Sequence, residues 1–412
     1  MPSARIMEAS ASLTTSNINR SAVTGERKTV SLARCDDYSR EHVLSAVRRS
    51  IDLMGGVGRF ASPGQKVLVK PNLLHVSEIG KGVTTHPEVV FAVARLFRDH
   101  GCEVIIGDSP GAGTSYKVRS LRKSYASAGL DKIAEELGIA LNFDTGYRGV
   151  PNPKGRMIKR FNVINPALDA DAIVSVSRMK THLLTYMTGG TKNLFGVLPG
   201  MEKPTFHGRL PDPEDFSRML VDLNVLMRPK LQVMDAVMAM EGDGPTGGSM
   251  RKVGALLASD DFTAIDVAAC RLMTINPAAV GTIKAAIERG LIEENFGDIS
   301  FVGEDLEKFV VRDFKKPQTY LKPKPRQGRS WHVLGNMAKA YALRPEIIKE
   351  KCTGCEECSR ICPRKAITMK DEKAQIAYKK CIRCYSCHET CGSSAIRLEK
   401  SRAGRFITRM ME

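Results

Sequence analysis

Short apolar runs alternate with amphipathic stretches along the chain from about residue 28 to residue 313. Five of these runs are short and rich in valine, isoleucine and leucine, as buried strands are. They are Lys66–Val69, Glu103–Ile106, Ala172–Val176, Leu231–Met234 and Val253–Leu257. Strands that alternate with helices in this way predict an α/β domain with a mostly parallel sheet.

Two of the intervening stretches carry signals for the start and the end of a helix. Ser39 is a candidate N-cap for an amphipathic helix that we expect to end at Gly55. Pro87 suits the first turn of a second helix, which we expect to stop at Gly101. Both helices lie between predicted strands, which agrees with an α/β arrangement.

Polar and charged residues concentrate directly after the predicted strands. In a parallel sheet the carboxyl ends of the strands meet at one edge, where ligands commonly bind. We therefore predict that four basic residues bind or protonate a small anionic substrate: Lys70, Lys180, His182 and Lys192. Three carboxylates would orient these basic groups or bind a cofactor or metal: Asp108, Asp235 and Glu241. The alternative is that each lysine only solvates a loop, as most lysines do.

Three further features of this region have a structural and a functional interpretation. His86 precedes Pro87, where capping a helix is a sufficient explanation and metal ligation is the alternative. His207 lies in the segment Lys203–Gly208, which we expect to be a loop that acts as a lid. The glycine-rich segment Gly107–Gly113 has neither the lysine of an ATP-binding Walker loop nor the G-x-G-x-x-G spacing of a dinucleotide-binding loop. An anionic or flavin-like ligand is the functional interpretation that remains for it.

Eight of the eleven cysteines follow residue 351 and form two copies of one motif. Cys352–Cys362 and Cys381–Cys391 both read C-x2-C-x2-C-x3-C, and each cysteine recurs 29 positions later. Three cysteines at this spacing wrap one face of an iron–sulfur cubane, and the fourth ligates the other cluster. The spacing assigns one 4Fe–4S cluster to Cys352, Cys355, Cys358 and Cys391, and a second to Cys381, Cys384, Cys387 and Cys362.

Zinc held by paired cysteine knuckles is the alternative for these motifs. A structural zinc site normally takes two cysteines from each knuckle, whereas each motif supplies a run of four. His388 lies between two predicted ligands, where a solvated histidine is the simpler interpretation. Outside the motifs, Cys35, Cys102 and Cys270 are scattered and are expected to pack as small hydrophobic residues.

The two cysteine motifs resemble those of bacterial-type two-cluster ferredoxins over about residues 346–400. The resemblance implies a small α+β ferredoxin-like domain with two 4Fe–4S clusters. The larger region resembles the family called domain of unknown function 362. The matching segments are Lys70–Asn72, Val83–Pro87, Gly107–Gly111, Lys180–His182, Lys192–Gly196 and Glu241–Pro245. Members of that family often carry a C-terminal ferredoxin module, but the resemblance names neither a reaction nor a further cofactor.

The formal net charge of the chain is +17, and only 6% of its residues are aromatic. A basic surface suits an acidic redox partner protein or an anionic substrate, and the scarcity of aromatic residues disfavours nucleic acid. No apolar run reaches the roughly 18 residues of a membrane-spanning helix. The first 27 residues lack the apolar core of a secretory signal. We therefore predict a cytoplasmic protein.

These features divide the chain into a flexible tail (1–27), an α/β domain (28–313), a basic proline-rich linker (314–345), a ferredoxin-type domain (346–400) and a C-terminal tail (401–412). The predicted function is electron transfer by an iron–sulfur oxidoreductase, whose clusters reduce a substrate or cofactor in the large domain. One alternative is a non-enzymatic ferredoxin-like carrier whose large domain binds partners. The other is a redox-neutral enzyme whose clusters are structural or sensory.

Overall fold

The computed structural model describes residues 27–74, 76–111, 114–320 and 343–399. Apart from Arg27, both predicted tails lie outside the described residues, and so does the central part of the predicted linker. Within the described residues, a large α/β domain precedes a small module that contains both cysteine motifs.

The strands are β1 (Lys28–Arg34), β2 (Lys66–Pro71), β3 (Glu103–Ile106), β4 (Ala140–Leu141), β5 (Tyr147–Pro151), β6 (Arg160–Ile164), β7 (Ala172–His182), β8 (Tyr186–Thr188), β9 (Leu231–Glu241), β10 (Ser249–Ser259), β11 (Ile299–Gly303), β12 (Arg344–Ile347), β13 (Ile367–Lys370), β14 (Lys373–Ile376) and β15 (Ile396–Glu399). The α-helices are α1 (Arg40–Asp52), α2 (Pro87–Asp99), α3 (Val118–Ser127), α4 (Leu130–Leu137), α5 (Asn165–Asp169), α6 (Gly190–Asn193), α7 (Glu202–Arg209), α8 (Pro213–Met227), α9 (Phe262–Leu272), α10 (Gly281–Glu288), α11 (Glu357–Ile361) and α12 (Ser386–Thr390). Short 3-10 helices span Val57–Arg59, Ile79–Lys81, Leu194–Val197, Pro277–Ala279 and Leu306–Phe309.

A mixed sheet forms the centre of the large domain. The strand order is β11-β1-β10-β9-β7-β2-β3-β4, and β8 pairs with β7 outside this path. Neighbouring strands are parallel from β9 to β4 and between β11 and β1, whereas β10 is antiparallel to both of its neighbours. The prediction of an α/β domain with a mostly parallel sheet is therefore confirmed.

Helices cover both faces of this sheet. On β2, Val67 and Val69 pack into the core formed with α1 and α2, whereas Leu68 packs into the opposite core with α8. Alternate residues of one strand therefore enter different cores, as expected of a strand buried on both faces. This explains why the run reads as continuously apolar in the sequence.

Strands β7 and β9 are longer than the apolar runs that predict them, and each contains 11 residues. The end of β7 is polar but completely buried, and it includes Arg178, Lys180 and His182. The sequence places Lys180 and His182 after the strand, and this expectation is wrong because their side chains find polar partners inside the protein. They therefore belong to the sheet itself.

Of the two residues predicted to cap helices, His86 does so and Ser39 does not. Helix α1 begins after Ser39, but the Ser39 side chain makes no capping hydrogen bond. Instead, the Ser39 backbone N–H donates to Asp37 Oδ1 at 2.8 Å. Helix α2 is capped by His86, whose Nδ1 accepts a hydrogen bond from the Glu88 backbone N–H at 3.3 Å. His86 therefore caps the helix, which is the structural role that the sequence suggests for it.

Both ends of the predicted linker belong to folded structure. Phe314 and Tyr320 are buried in the core of the large domain. The hydroxyl of Tyr320 accepts a hydrogen bond from the Asn276 backbone N–H at 2.9 Å. At the other end, β12 begins at Arg344 and pairs with β15 of the small module. The segment between the two domains is therefore shorter than residues 314–345.

The small module consists of two antiparallel strand pairs, β12–β15 and β13–β14, together with α11 and α12. Its two halves repeat their backbone conformation. Glu356 and Tyr385, which are 29 positions apart, have φ angles of 63° and 61° before their helices. Arg383 has a φ of 59° where the first half has Gly354 at 73°. The second half therefore keeps a left-handed turn without the glycine that favours it.

The module packs directly on the large domain. Leu183, which follows β7, forms a buried apolar cluster with Tyr385 and Leu398 of the module, together with Leu343. On α7, a Cβ atom at Gly208 would lie only 2.9 Å from Pro363 Cβ. A glycine at this position therefore allows the helix and the first cysteine motif to approach each other closely.

Candidate functional site

Two small cavities in the module are each lined by four cysteines. Cys352, Cys355, Cys358 and Cys391 line the first cavity. Cys362, Cys381, Cys384 and Cys387 line the second cavity. These are the two sets to which the motif spacing assigns one cluster each. In each set, three cysteines come from one motif and the fourth comes from the other motif. We call them the first and the second cysteine group.

The surroundings of the cysteines fit iron–sulfur clusters. The backbone N–H groups of Ala366 and Ala395 donate to Cys362 Sγ and Cys391 Sγ, each at 3.2 Å. Hydrogen bonds of this kind stabilise a thiolate and tune the potential of the iron that it binds. Isoleucine side chains line both cavities. Two sulfur-rich, largely apolar sites related by the internal repeat are thus present.

The two cysteine groups differ in their exposure to solvent. Cys355 of the first group is exposed, whereas Cys387 of the second group is buried. The other six cysteines are partly buried. Cys387 lies on α12, and Glu389 of the same helix contacts His182 of the large domain, so the most buried cysteine lies on the side of that domain.

A buried ion pair lies at the carboxyl ends of β2 and β3. Lys70 Nζ and Asp108 Oδ1 are 2.8 Å apart, and both side chains are 1% exposed. Asp108 Oδ2 accepts a hydrogen bond from the Leu73 backbone N–H at 2.9 Å. Burial lowers the pKa of Lys70 and raises the pKa of Asp108, and the opposite charge of each partner offsets part of both shifts.

Lys203 brings a second buried amine to the same place from helix α7. Its Nζ donates to Ser109 Oγ at 2.9 Å and to the Leu198 carbonyl at 2.8 Å. Burial lowers the pKa of Lys203 to about 7, although the nearby Asp108 carboxylate favours the charged form. This amine can therefore exchange a proton near neutral pH. The segment Lys203–Gly208 lies in a helix, so the prediction that it forms a loop is wrong.

These groups line a cavity between the two domains, which we call the interdomain cavity. Its volume is about 60 Å³, which is enough for a small anion or a few water molecules. The large domain contributes polar side chains, among them Lys70, Asn72, Asp108, Ser109, Lys192, Asn193, Lys203 and His207. The small module contributes Ile361, Ser386 and Glu389.

Lys192 gives this cavity a positive charge that no direct ion pair neutralises. Its side chain is partly exposed, and among the described residues its ammonium has no hydrogen-bond or ion-pair partner. Burial lowers the pKa of Lys192, and the carboxylate of Glu389 counteracts that shift. A positive group without a partner in a polar recess is suited to binding an anion.

Glu389 projects from α12 of the small module into the large domain. Its Oε1 lies 3.2 Å from His182 Nε2. His182 Nδ1 accepts hydrogen bonds from the backbone N–H groups of Leu184 and Thr185, at 3.0 and 3.3 Å. The neutral ring therefore carries its proton on Nε2, which faces the carboxylate. Burial and then the charge of Lys192 lower the pKa of His182 to about 4.

His207 completes the polar wall on the side of helix α7. Its ring stacks on Phe216, with the two ring centroids 4.4 Å apart. Its Nδ1 is buried and has no hydrogen-bond partner among the described residues. Burial lowers the pKa of His207 to about 4, so the ring is neutral at neutral pH. The segment predicted to be a lid thus supplies two fixed side chains, Lys203 and His207.

The four basic residues predicted to form one site are separated in the structure. Lys70 and Lys192 line the interdomain cavity, whereas Lys180 and His182 lie behind its wall in β7. Lys180 Nζ donates to Asn72 Oδ1 at 2.6 Å and to a backbone carbonyl at 2.7 Å. Burial and then the charge of Lys192 lower the pKa of Lys180 well below its usual value. Lys180 therefore holds the strand ends in place and does not reach the cavity.

The three predicted carboxylates do not come together either. Asp235 forms a buried ion pair with Arg178 at 3.0 Å, on a strand about 14 Å from β3. Glu241 Oε2 accepts a hydrogen bond from the Lys315 backbone N–H at 3.0 Å. Among the described residues, no group of three or more histidine, cysteine, aspartate or glutamate side chains is arranged to hold a single metal ion. Of the three, only Asp108 lines the interdomain cavity.

Sequence reasoning missed Glu389 and undervalued Lys203. The internal repeat could have pointed to Glu389, because the equivalent residue 29 positions earlier is Arg360, which has the opposite charge. A charge reversal between two otherwise matched cysteine motifs points to a contact that only one half makes. The neighbouring His388 is buried and packs against Gly247, so the expectation of a solvated histidine is wrong.

Two family models match this chain. The model described as "Domain of unknown function (DUF362)" matches residues 67–271, and the model described as "4Fe-4S dicluster domain" matches residues 344–392. A thylakoid-associated protein of Synechocystis sp. is 33% identical over 295 residues, which cover 71% of this chain and 89% of that protein. No helix among the described residues is long and apolar enough to cross a membrane.

Two solved structures are similar to part of this chain. The lactate racemase apoprotein from Thermoanaerobacterium thermosaccharolyticum has a TM-score of 0.38 at 11% identity, over 60% of this chain and 57% of that chain. A structural-genomics protein from Thermotoga maritima has a TM-score of 0.37 at 14% identity, over 58% of this chain and 60% of that chain. This chain thus spans less than two thirds of either protein.

Proposed function

The chain belongs to the family described as domain of unknown function 362 and carries a 4Fe-4S dicluster domain, and from this premise we propose that it is an iron–sulfur oxidoreductase. Its substrate is a small anion that binds in the interdomain cavity and is reduced there. The observation that carries the proposal is the position of Ser386, which lines both the interdomain cavity and the cavity of the second cysteine group. The sites of the electron donor and of the substrate are therefore neighbours.

The exposure of the two cysteine groups gives the electron path a direction. When bound, two 4Fe–4S clusters supply electrons one at a time. In this proposal a redox partner protein delivers electrons to the first group, where Cys355 is exposed, and electrons leave toward the cavity from the second group, where Cys387 is buried. The net charge of +17 favours an acidic partner protein.

The lysines of the cavity have separate tasks. Lys192 attracts the anion, because its ammonium has no counter-ion of its own apart from the charge of Glu389. Lys70 contributes little net charge, because Asp108 neutralises it at 2.8 Å. Lys203, with a pKa of about 7, can hold a proton on Nζ and release it to a substrate that takes up electrons.

The test uses full-length protein purified without oxygen, reduced, and freed of excess reductant. We expect one chemical class of small anion to reoxidise the clusters faster than buffer alone, as followed by the visible absorbance of the clusters. Lys192→Ala should slow this reaction at least about ten-fold and leave the cluster spectrum unchanged. Lys123→Ala, on the exposed surface of α3, is the matched control and should react like the unaltered protein.

Two results would favour the other functions. If no anion reoxidises the clusters while acidic carrier proteins exchange electrons with them, the protein is a ferredoxin-like carrier whose large domain binds partners. If a substrate is converted at an unchanged rate while the clusters are locked in the oxidised state, the enzyme is redox-neutral and its clusters are structural or sensory.

We also propose a cytoplasmic location, because a reducing compartment keeps the cysteine thiols free to bind iron. The relative from Synechocystis sp. is described as thylakoid-associated, so the question is open to experiment. Fractionation of cells should find the protein with the cytoplasmic fraction, and recovery with membranes after a low-salt wash would contradict this location.

A further inference from the structure

A second recess opens beside the interdomain cavity and contains three arginines. It lies between α7 of the large domain and the end of the first cysteine motif, and its volume is about 360 Å³. Arg209 comes from α7, and Arg360 and Arg364 come from the module. We call this space the arginine recess. Nothing in the proposed electron path uses these three side chains.

No carboxylate lines the arginine recess, and Cys362 of the second cysteine group is part of its wall. Arg360 is engaged, because it contacts Glu357 at 3.1 Å and donates to the Cys355 carbonyl at 2.7 Å. Arg209 and Arg364 are exposed, and neither has an ion-pair partner within the described part of the chain. Two guanidinium groups are thus available to an anion from solvent.

Arg209 also lies over an aromatic ring. Its guanidinium carbon lies 5.5 Å from the centroid of the Phe206 ring, which is buried in the large domain. A cation placed over an aromatic face loses part of its freedom before any ligand binds. A planar guanidinium can then form two parallel hydrogen bonds with one carboxylate or phosphate group.

The arginine recess and the interdomain cavity are adjacent. Pro204 and Ile361 line both spaces, so the two spaces share a wall made of one residue from each domain. Helix α7 presents Lys203 to the inner space and Arg209 to the outer space. The domain boundary therefore offers two neighbouring positions for negatively charged groups, one in the interdomain cavity and one in the arginine recess.

We propose that the substrate carries two anionic groups, one at each of these positions. This inference rests on the proposed function and narrows its substrate to dicarboxylates or to molecules with a carboxylate and a phosphate. The inner group binds near Lys192 and Lys203, close to the second cysteine group. The outer group binds to Arg209 and Arg364 in the arginine recess. The reducible part of the molecule then lies next to Ser386.

Binding of matched probes tests this proposal without turnover. Calorimetry on the oxidised holoprotein compares succinate, glutarate and adipate with butyrate, valerate and hexanoate. At least one dicarboxylate should bind roughly ten-fold more tightly than the monocarboxylate of equal length, as expected of a bidentate guanidinium contact. A phosphonocarboxylate of the same length distinguishes a carboxylate from a phosphate at the outer position.

Substitutions then assign the two positions. Arg209→Ala combined with Arg364→Ala should reduce the affinity of the preferred dicarboxylate to that of its monocarboxylate, whose own affinity should not change. Lys192→Ala should weaken both probes. Arg48→Ala combined with Arg119→Ala removes the same charge from an exposed surface elsewhere and should leave both affinities unchanged.

The outcomes separate this inference from the proposed function. If the double variant keeps the preference for a dicarboxylate, or if monocarboxylates bind as tightly as dicarboxylates, the second anionic position is wrong and the proposed function stands. If the unaltered protein binds none of the probes and no other anion, both fail.

Discussion

The ion pair of Lys70 and Asp108 shows how single residues shape the interdomain cavity. Both charges are 1% exposed, so each must be satisfied within the protein. The backbone near Gly196 passes very close to the pair. A Cβ atom at this position would collide with Asp108 Oδ1 and lie 2.7 Å from Lys70 Nζ. Position 196 therefore has to be glycine because a larger side chain would not fit, and not because of a positive φ angle.

We expect Asp108→Asn to destabilise the large domain by about 3–5 kcal/mol, because it leaves a buried ammonium without its counter-charge. Urea denaturation followed by far-ultraviolet circular dichroism measures this loss. Asp99→Asn removes a carboxylate from an exposed pair with Arg98 and should cost less than about 1 kcal/mol. An equal loss of unfolding free energy in the two variants would show that the buried pair stabilises the protein no more than the exposed pair does.

The pKa of Lys203, lowered to about 7 by burial, predicts a pH dependence of anion binding. Sulfate does not change its charge near neutrality and should bind the protonated amine. Its affinity should therefore be fully present below pH about 7 and should be lost as the pH rises through that value. Calorimetry across this range measures the effect.

Lys203→Met is the matched variant for this prediction. It should bind sulfate weakly and with less dependence on pH near 7, because the amine whose pKa lies near that value is gone. A pH profile in Lys203→Met equal to that of the unaltered protein would assign the titration to another group.

At the scale of single elements, helix α12 joins the redox and binding parts of the protein. It supplies Cys387 to the second cysteine group and Glu389 to the interdomain cavity, and Cys391 of the first cysteine group follows directly after its last residue. The equivalent helix α11 carries Arg360 in place of the glutamate, and this arginine faces the neighbouring recess. The two halves of one repeat have thus acquired opposite charges at the domain boundary.

We expect Glu389→Gln to strengthen sulfate binding by about three- to ten-fold, because it removes a negative charge beside Lys192. The amide has the same size as the carboxylate and can keep its oxygen close to His182 Nε2, so the contact between the domains persists. Glu372→Gln is the control, because Glu372 is exposed on the same module. Unchanged or weaker binding in Glu389→Gln would place the anion away from this carboxylate.

The exchange of one cysteine between the motifs makes a further prediction. Cys391→Ser should lower the iron content from about eight atoms per chain to about four or fewer, since it removes a ligand of one group and disturbs the helix that holds the other. Iron and sulfide analysis measures this change. Cys102→Ser, outside both groups, should keep the full content, and full content in Cys391→Ser would contradict the grouping.

At the scale of the whole molecule, the interdomain cavity exists because two domains meet. The large domain supplies its lysines, but Ile361, Ser386 and Glu389 come from the small module. A large domain without the module would lack one wall and the negative charge that faces Lys192. The proposed site is therefore a property of the complete chain and not of either domain.

The sequence predicts the sheet and the cysteine groups because both follow from local spacing. Apolar runs mark the strands, and cysteines three positions apart can surround only one face of a cluster. The depth of Lys180 and the role of Glu389 depend on contacts between residues far apart in the chain. Lys180 is buried because Asn72 accepts its hydrogen bond, and Glu389 reaches the cavity only when the module docks. No local pattern contains that information.

The most direct test of the account is electron paramagnetic resonance of the reduced full-length protein with and without sulfate. The account predicts two iron–sulfur signals, of which sulfate perturbs only the one from the second cysteine group, since Ser386 joins that group to the cavity. Lys192→Ala should abolish the perturbation and leave both signals. Colourless protein, zinc in place of iron, or signals that sulfate leaves unchanged would contradict the claim that the cavity and the clusters act together.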